Sequence, residues 1–145
     1  MPRFIYDTRF FIEHYYSASE DVQRTTKLEL TANKKKLVSA ISIHEIYRLT
    51  LDKEGRETAK LRVSLIMKDF DVVDVNAAIA VKAAEIRHNR RIPMADSLIA
   101  ATCVVLNCIC VSDDTHFEGI KGLSTRWIRG ASETPEGRPN SNAAR

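Results

Sequence analysis

Ile92-Pro93-Met94-Ala95-Asp96-Ser97-Leu98-Ile99-Ala100-Ala101-Thr102-Cys103-Val104-Val105-Leu106 carries no charged side chain after Asp96. Its apolar residues run right round a helical wheel, the pattern of a helix buried in the middle of a domain rather than laid on its surface. Pro93 suits a first helical turn, which puts Asp96 at the N-terminal end, where free backbone N–H groups and the helix dipole favour an anion. A carboxylate there still loses water, and that is costly unless a cation or hydrogen-bond donors meet it. The rest of the chain must supply what meets Asp96.

Working outward, Ala77 to His88 reads as an alanine-rich helix with Ile79, Ala83 and Ile86 available for packing. Asn107 closes the buried helix, and Cys108-Ile109-Cys110-Val111-Ser112 reads as a strand ending at Asp113-Asp114. Nearer the N-terminus, Arg3-Phe4-Ile5-Tyr6 is a short strand stopping at Asp7-Thr8, and Phe10 to Tyr16 reads as the helix that begins at that carboxylate. Ser19 and Asp21 can cap a second helix through Leu28 and Leu30. Leu37 to Ala40 is another strand. Ser42 then opens a helix with Glu45 three residues on, the capping-box spacing, and Gly55 breaks it. Glu57 to Phe70 is amphipathic, with Leu61, Leu65, Ile66 and Phe70 at helical spacing. Val72 to Val75 is a strand, a helical turn surrounds Phe117-Glu118, and a last strand lies near Leu123-Ser124-Thr125.

Strands alternating with helices predict a three-layer α/β/α domain with a mainly parallel central sheet. Functional groups in such sheets gather outside the carboxyl ends of the strands. Asp7, Asp113 and Asp114 lie just past strand ends, and Glu45 lies in the helix entered from the second strand. In a parallel sheet these acids share one edge with the start of the Asp96 helix.

The 145 residues fit one domain, with 44% hydrophobic and 28% charged residues, an ordinary globular composition. The domain is expected over residues 1–129. Residues 130–145 carry no large aliphatic side chain and read as a disordered tail. No apolar run is long enough to span a bilayer, and the first strand is too short for a signal-peptide core, so a cytoplasmic protein is expected. A formal charge of +3 permits a nucleic-acid partner without establishing one. Lys34-Lys35-Lys36 and Arg87-His88-Asn89-Arg90-Arg91 are basic segments that serve either as solvated faces or as phosphate contacts. Cys103, Cys108 and Cys110 form no CxxC or zinc pattern and read as small core hydrophobes in a reducing compartment.

Carboxylates clustered at close range cannot all stay ionised without a compensating cation. Hard oxygen ligands without a convergent histidine suit Mg²⁺ or Mn²⁺ rather than zinc. Such ions bind phosphate oxygens and acidify a bound water, which is the chemistry of phosphodiester hydrolysis. Taken singly, each acid is equally a helix cap or a solvated loop residue. Two other motif readings fail. His44-Glu45-Ile46-Tyr47-Arg48 has Arg48 where a zinc-protease helix needs its second histidine. Asp7-Thr8-Arg9 lacks the second aspartate of a DxD phosphatase, and there is no GxxxxGK phosphate loop.

Phe4-Ile5-Tyr6-Asp7-Thr8, Ser42-Ile43-His44-Glu45-Ile46, Ala95-Asp96-Ser97-Leu98-Ile99-Ala100-Ala101 and Val111-Ser112-Asp113-Asp114-Thr115-His116-Phe117 resemble, in order, the motifs of PIN-domain ribonucleases. The closest likeness is to the VapC-like toxins of prokaryotic toxin–antitoxin pairs, and it covers roughly Phe4 to Ile128. The resemblance implies a divalent-metal-dependent endoribonuclease using Mg²⁺ or Mn²⁺ and metal-activated water. Its catalytic and metal-holding acids would be Asp7, Glu45, Asp96 and Asp114, with Asp113 as the alternative to Asp114. Thr8 and Ser112 match supporting hydroxyl positions. Arg9 replaces the asparagine often found there and is nominated, with Arg87, Arg90 and Arg91, for RNA contact. The resemblance also implies a homodimer and a small cognate antitoxin. Phe10-Phe11 and Tyr15-Tyr16 cannot all face inward on one short helix, which leaves some rings for an interface or for neighbouring helices. An RNA-processing nuclease outside toxin–antitoxin control and a non-catalytic RNA- or protein-binding scaffold are the alternative readings.

Overall fold

The computed structural model describes residues 2–32 and 34–128. In chain order the elements are β1 (Phe4–Tyr6), α1 (Thr8–Tyr16), α2 (Glu20–Thr31), β2 (Lys36–Ser39), α3 (Ala40–Glu54), α4 (Arg56–Asp69), β3 (Asp71–Val73), α5 (Ala77–His88), α6 (Met94–Leu106), β4 (Ile109–Val111), a 3₁₀ turn (Thr115–Phe117) and β5 (Ser124–Arg126). The strands form one sheet in the order β3-β2-β1-β4-β5, and every pairing is parallel. The expected tail over 130–145 lies outside the described residues, as does residue 129. No helix among the described residues is long and apolar enough to cross a membrane.

The strands are short, and successive side chains point to opposite faces, so each strand feeds two cores. Ile5, Leu37 and Cys110 pack with α5 and α6, through Ile79, Ala83, Ile86, Ile99 and Ala100. Their neighbours Tyr6, Val38 and Val111 pack on the other face with Phe10, Phe11, Ile46 and Ile66 from α1, α3 and α4. That alternation is what makes the domain three-layered. The chain winds from β1 to β2 to β3 on one side, then returns to place β4 on the other side of β1. The switch point therefore lies between β1 and β4, where open α/β sheets place their ligands.

The helix α6 is buried at Ser97 and from Ile99 to Cys103, and it ends at Asn107 in the left-handed conformation with φ 53°. Its two ends emerge, at Met94 and at Val105. Cys103, Cys108 and Cys110 are free and buried, as core hydrophobes would be.

Two local expectations change, and the division of the α1 rings is resolved. The helix α3 starts earlier than expected: Ser39, not Ser42, is its cap, with Ser39 Oγ accepting the Ile41 N–H at 3.0 Å. Ser42 sits inside the helix and is buried, so the Ser42–Glu45 capping box does not form and Glu45 is released for other work. On α4, Ile66 and Phe70 at its end are buried whereas Leu61 and Leu65 are exposed. Both pairs are spaced i, i+4, but one residue turns the helix by about 100°, so only one of two adjacent ridges can face the sheet. On α1, Phe10 and Phe11 are both buried, edge-on to Tyr6 at 4.8 Å and Phe70 at 5.1 Å respectively. Tyr15 and Tyr16 take the rim, with the Arg62 guanidinium 4.1 and 5.4 Å from their rings.

Candidate active site

Asp7 follows β1 directly and stands at the head of α1, yet its carboxylate makes no cap hydrogen bond. Its backbone N–H donates to Val111 O at 3.1 Å, tying the ends of β1 and β4 together. The side chain is then carried inward, to 2% exposure, where the Ser112 hydroxyl donates to Oδ2 at 2.7 Å. Burial pushes the Asp7 carboxyl up to about 7; the Ser112 bond opposes the rise and the charge of Asp96 adds to it.

Asp96 occupies the first turn of α6. Its carboxyl is also raised, by burial first, then by the charges of Asp114 and Glu45, against the pull of His116. The group that meets it is His116, whose Nδ1 lies 2.6 Å from Asp96 Oδ2 and 3.2 Å from Asp114 Oδ1. The 3₁₀ turn after β4 sets this up. Asp114 Oδ1 accepts the His116 N–H at 2.9 Å, and the Asp114 N–H donates to Ser112 Oγ at 3.1 Å. Ligand atoms of Asp96, Asp114 and His116 all lie within 4.8 Å of one another.

Glu45 comes from α3, one helical turn beyond Ser42. Thr8 Oγ1 donates to Glu45 Oε1 at 2.6 Å and lies 2.9 Å from Ser42 Oγ. Asp7 and Glu45 stand outside the tight Asp96–Asp114–His116 set and are linked to it through charge: Asp96 raises Asp7, and Glu45 raises Asp96. Asp113 turns away onto Arg9, whose Nε and Nη2 donate to it at 3.0 and 3.3 Å. Arg9 also pairs with Glu13 at 3.5 Å.

The basic segment divides. Arg90 is spent internally, donating to the backbone carbonyls of Glu118 and Gly119, and so fastens the loop after the 3₁₀ turn to the connection between α5 and α6. Arg87 and Arg91 are exposed beside a surface hollow of about 600 Å³ whose wall includes Ile92 and Pro93. Arg87 Nε donates to Ile92 O at 3.2 Å.

His116 was not singled out from sequence. It lies two residues after Asp114 in the same motif, but nothing in that spacing says that its ring turns toward the head of a helix twenty residues earlier.

The expectation of oxygen ligands without a convergent histidine is corrected, because His116 converges with Asp96 and Asp114. Carboxylates still predominate, one of them buried with no ion-pair partner among the described residues, which suits a hard divalent ion. A divalent cation placed among them would offset the burial, and then the mutual repulsion, that raise Asp7 and Asp96.

A search of curated proteins finds no match. Solved structures share the fold. The DNA-bound VapBC of Salmonella typhimurium superposes with a TM-score of 0.72 at 19% identity, covering 88% of this chain and 98% of that one. A toxin–antitoxin complex from Klebsiella pneumoniae gives 0.63 at 20% identity, covering 83% and 95%. VapC20 of Mycobacterium tuberculosis, described as a sarcin-ricin loop cleaving toxin, gives 0.65 at 19% identity, covering 79% and 92%. The PIN-domain family model matches residues 4–123, from β1 to the approach to β5. With that match running through the acidic edge and the parallel sheet beneath it, the chain belongs to the PIN-domain family.

Proposed function

We propose that this chain is a divalent-metal-dependent endoribonuclease acting in the cytoplasm as the toxin of a toxin–antitoxin pair. The support for the reading is the close approach of Asp96 and Asp114 at the carboxyl edge of the sheet, with Asp7 buried at the end of β1 and raised by the charge of Asp96, and Asp96 raised in turn by Glu45. Folding alone gains nothing from such a set, since repulsion and burial both work against it.

Asp7, Asp96 and Asp114 are the residues that would hold the ion, with Glu45 in direct or water-mediated contact. A bound Mg²⁺ or Mn²⁺ supplies positive charge at a phosphodiester and acidifies a water molecule. The chain's own contribution is positional. Ser112 holds the Asp7 carboxylate from one side, Thr8 holds Glu45 from the other, and α6 anchors Asp96 rigidly in the core. Arg87 and Arg91 offer charge to an RNA backbone that the acids alone would repel. Arg9 could join them only by releasing Asp113 and Glu13.

RNA as substrate draws support from VapC20, and a protein antitoxin from the Klebsiella complex. We place the nuclease domain over residues 1–129 and expect a homodimer. The test is direct. Purified protein should cleave RNA with Mg²⁺ or Mn²⁺ and stop on chelation, and Asp96→Asn should lower the rate by about 100-fold or more with its melting transition retained. If no divalent ion supports cleavage of any RNA, a non-catalytic scaffold takes the place of this reading. Copurification of a small partner encoded beside the gene tests the toxin assignment.

A further inference from the structure

We propose that His116 is itself a ligand of the divalent ion, through Nδ1, and that it biases the site toward Mn²⁺ over Mg²⁺. The inference rests on the metal site just proposed and adds a nitrogen donor to its oxygen ligands.

The geometry is that of a nearly assembled half-shell. Six-coordinate ions with bonds of about 2.1 Å place neighbouring ligands about 3.0 Å apart and opposite ones about 4.2 Å apart. His116 Nδ1 stands 2.6 Å from an Asp96 oxygen and 3.2 Å from an Asp114 oxygen, and the three groups lie within 4.8 Å of one another. They are closer together than any set that includes Asp7 or Glu45. The ring is also held in place from its own backbone, because the His116 N–H donates to Asp114 Oδ1 at 2.9 Å. At the far end of the loop, Arg90 grips the carbonyls of Glu118 and Gly119. A side chain that merely decorated the rim would need neither restraint.

Two properties make the imidazole a usable donor. Its side chain is 43% exposed, and Nδ1 is the ring atom that faces both carboxylates. Nitrogen is a softer donor than carboxylate oxygen. Mg²⁺ keeps to oxygen ligands and water, whereas Mn²⁺ belongs to the first-row series whose affinity extends to nitrogen-containing sites, at its weak end. An all-carboxylate edge would bind both ions, and one imidazole tilts the balance.

Mn²⁺ itself is the probe. Pulsed electron paramagnetic resonance of the full chain loaded with Mn²⁺ should show modulation from a directly bound ¹⁴N. His116→Gln should abolish that modulation and lower the ratio of Mn²⁺ to Mg²⁺ affinity by about tenfold, read by competition titration. His44→Gln, which removes the exposed imidazole next to Glu45, should leave both unchanged. Absent nitrogen modulation, modulation that survives in His116→Gln, or an unchanged affinity ratio overturns the proposal. In those cases, loss of Mn²⁺ binding in Asp96→Asn shows that the acidic metal site stands without the histidine. If the wild-type chain binds no Mn²⁺ at all, the metal site and the histidine's role in it fail together.

Discussion

The Ser112 hydroxyl donates to the Asp7 carboxylate at 2.7 Å across 105 residues of sequence, while its oxygen accepts the Asp114 N–H at 3.1 Å. One hydroxyl thus joins the end of β1 to the turn after β4 and orients two acids at once. Replacing it leaves a buried carboxylate and a partly buried N–H without their partner, a cost of about 1–3 kcal/mol. Ser112→Ala should lower the unfolding free energy by that amount in chelator. It should also weaken Mn²⁺ binding about tenfold near neutral pH, because Asp7 loses the bond that favours its charged form. Denaturant melts and metal titrations measure the two effects separately.

Asp7 makes the metal-free protein less stable as pH rises. Its carboxyl ordinarily titrates at 3.8 and here at about 7, so between those values the native state holds a proton that the unfolded chain has released. The stabilisation by neutral Asp7 is fully present below about pH 4 and lost as pH passes 7, to the extent of about 4 kcal/mol. Unfolding midpoints in chelator should fall across that window from this group. Asp7→Asn should flatten this part of the profile, exceed the wild type in stability at pH 8, and fail to bind Mn²⁺. A mutant no more stable than wild type at pH 8 would contradict the assignment of strain to this carboxylate.

Thr8 acts on Glu45 through the 2.6 Å hydrogen bond. Thr8→Val keeps the shape and removes the donor, leaving Glu45 without the bond that aims it. Single-turnover cleavage should slow by about tenfold while stability changes by no more than about 1–2 kcal/mol. A rate equal to wild type would mean that Glu45 needs no such support.

The arginines of the basic segment should separate by readout. Arg90→Ala breaks the anchor on the Glu118 and Gly119 carbonyls and should cost about 1–3 kcal/mol of stability. Arg87→Ala and Arg91→Ala should leave melting nearly unchanged. Each should instead reduce the slope of log RNA affinity against log salt by about one, the loss of one phosphate contact. Filter binding across a salt series distinguishes the two classes.

Much of this architecture was legible because local physics dictates it. Alternating strands and helices implied the parallel three-layer sheet, and Gly55 and Asn107 marked helix ends at their observed places. Where a choice lay between adjacent candidates, local pattern was insufficient. Ser39 and Ser42 are both competent caps, and the pairing of β2 with its neighbours decides which one stands at the start of α3. Leu65 and Ile66 are equally apolar, and the rotation of α4 against the sheet decides which is buried.

By itself the sequence determined the buried helix that runs to Leu106, the fold class, and the ordered acids at strand ends, since periodicity and end signals depend on near neighbours alone. Only the tertiary structure decided that Asp113 faces Arg9 while Asp114 joins Asp96, that Ser112 holds Asp7, and that the group meeting Asp96 is His116. Those relationships depend on the rotamers and relative placement of elements far apart in the chain. The carboxylate that burial makes costly at the head of α6 is met by an imidazole delivered from the turn after β4, and no local spacing encodes that meeting.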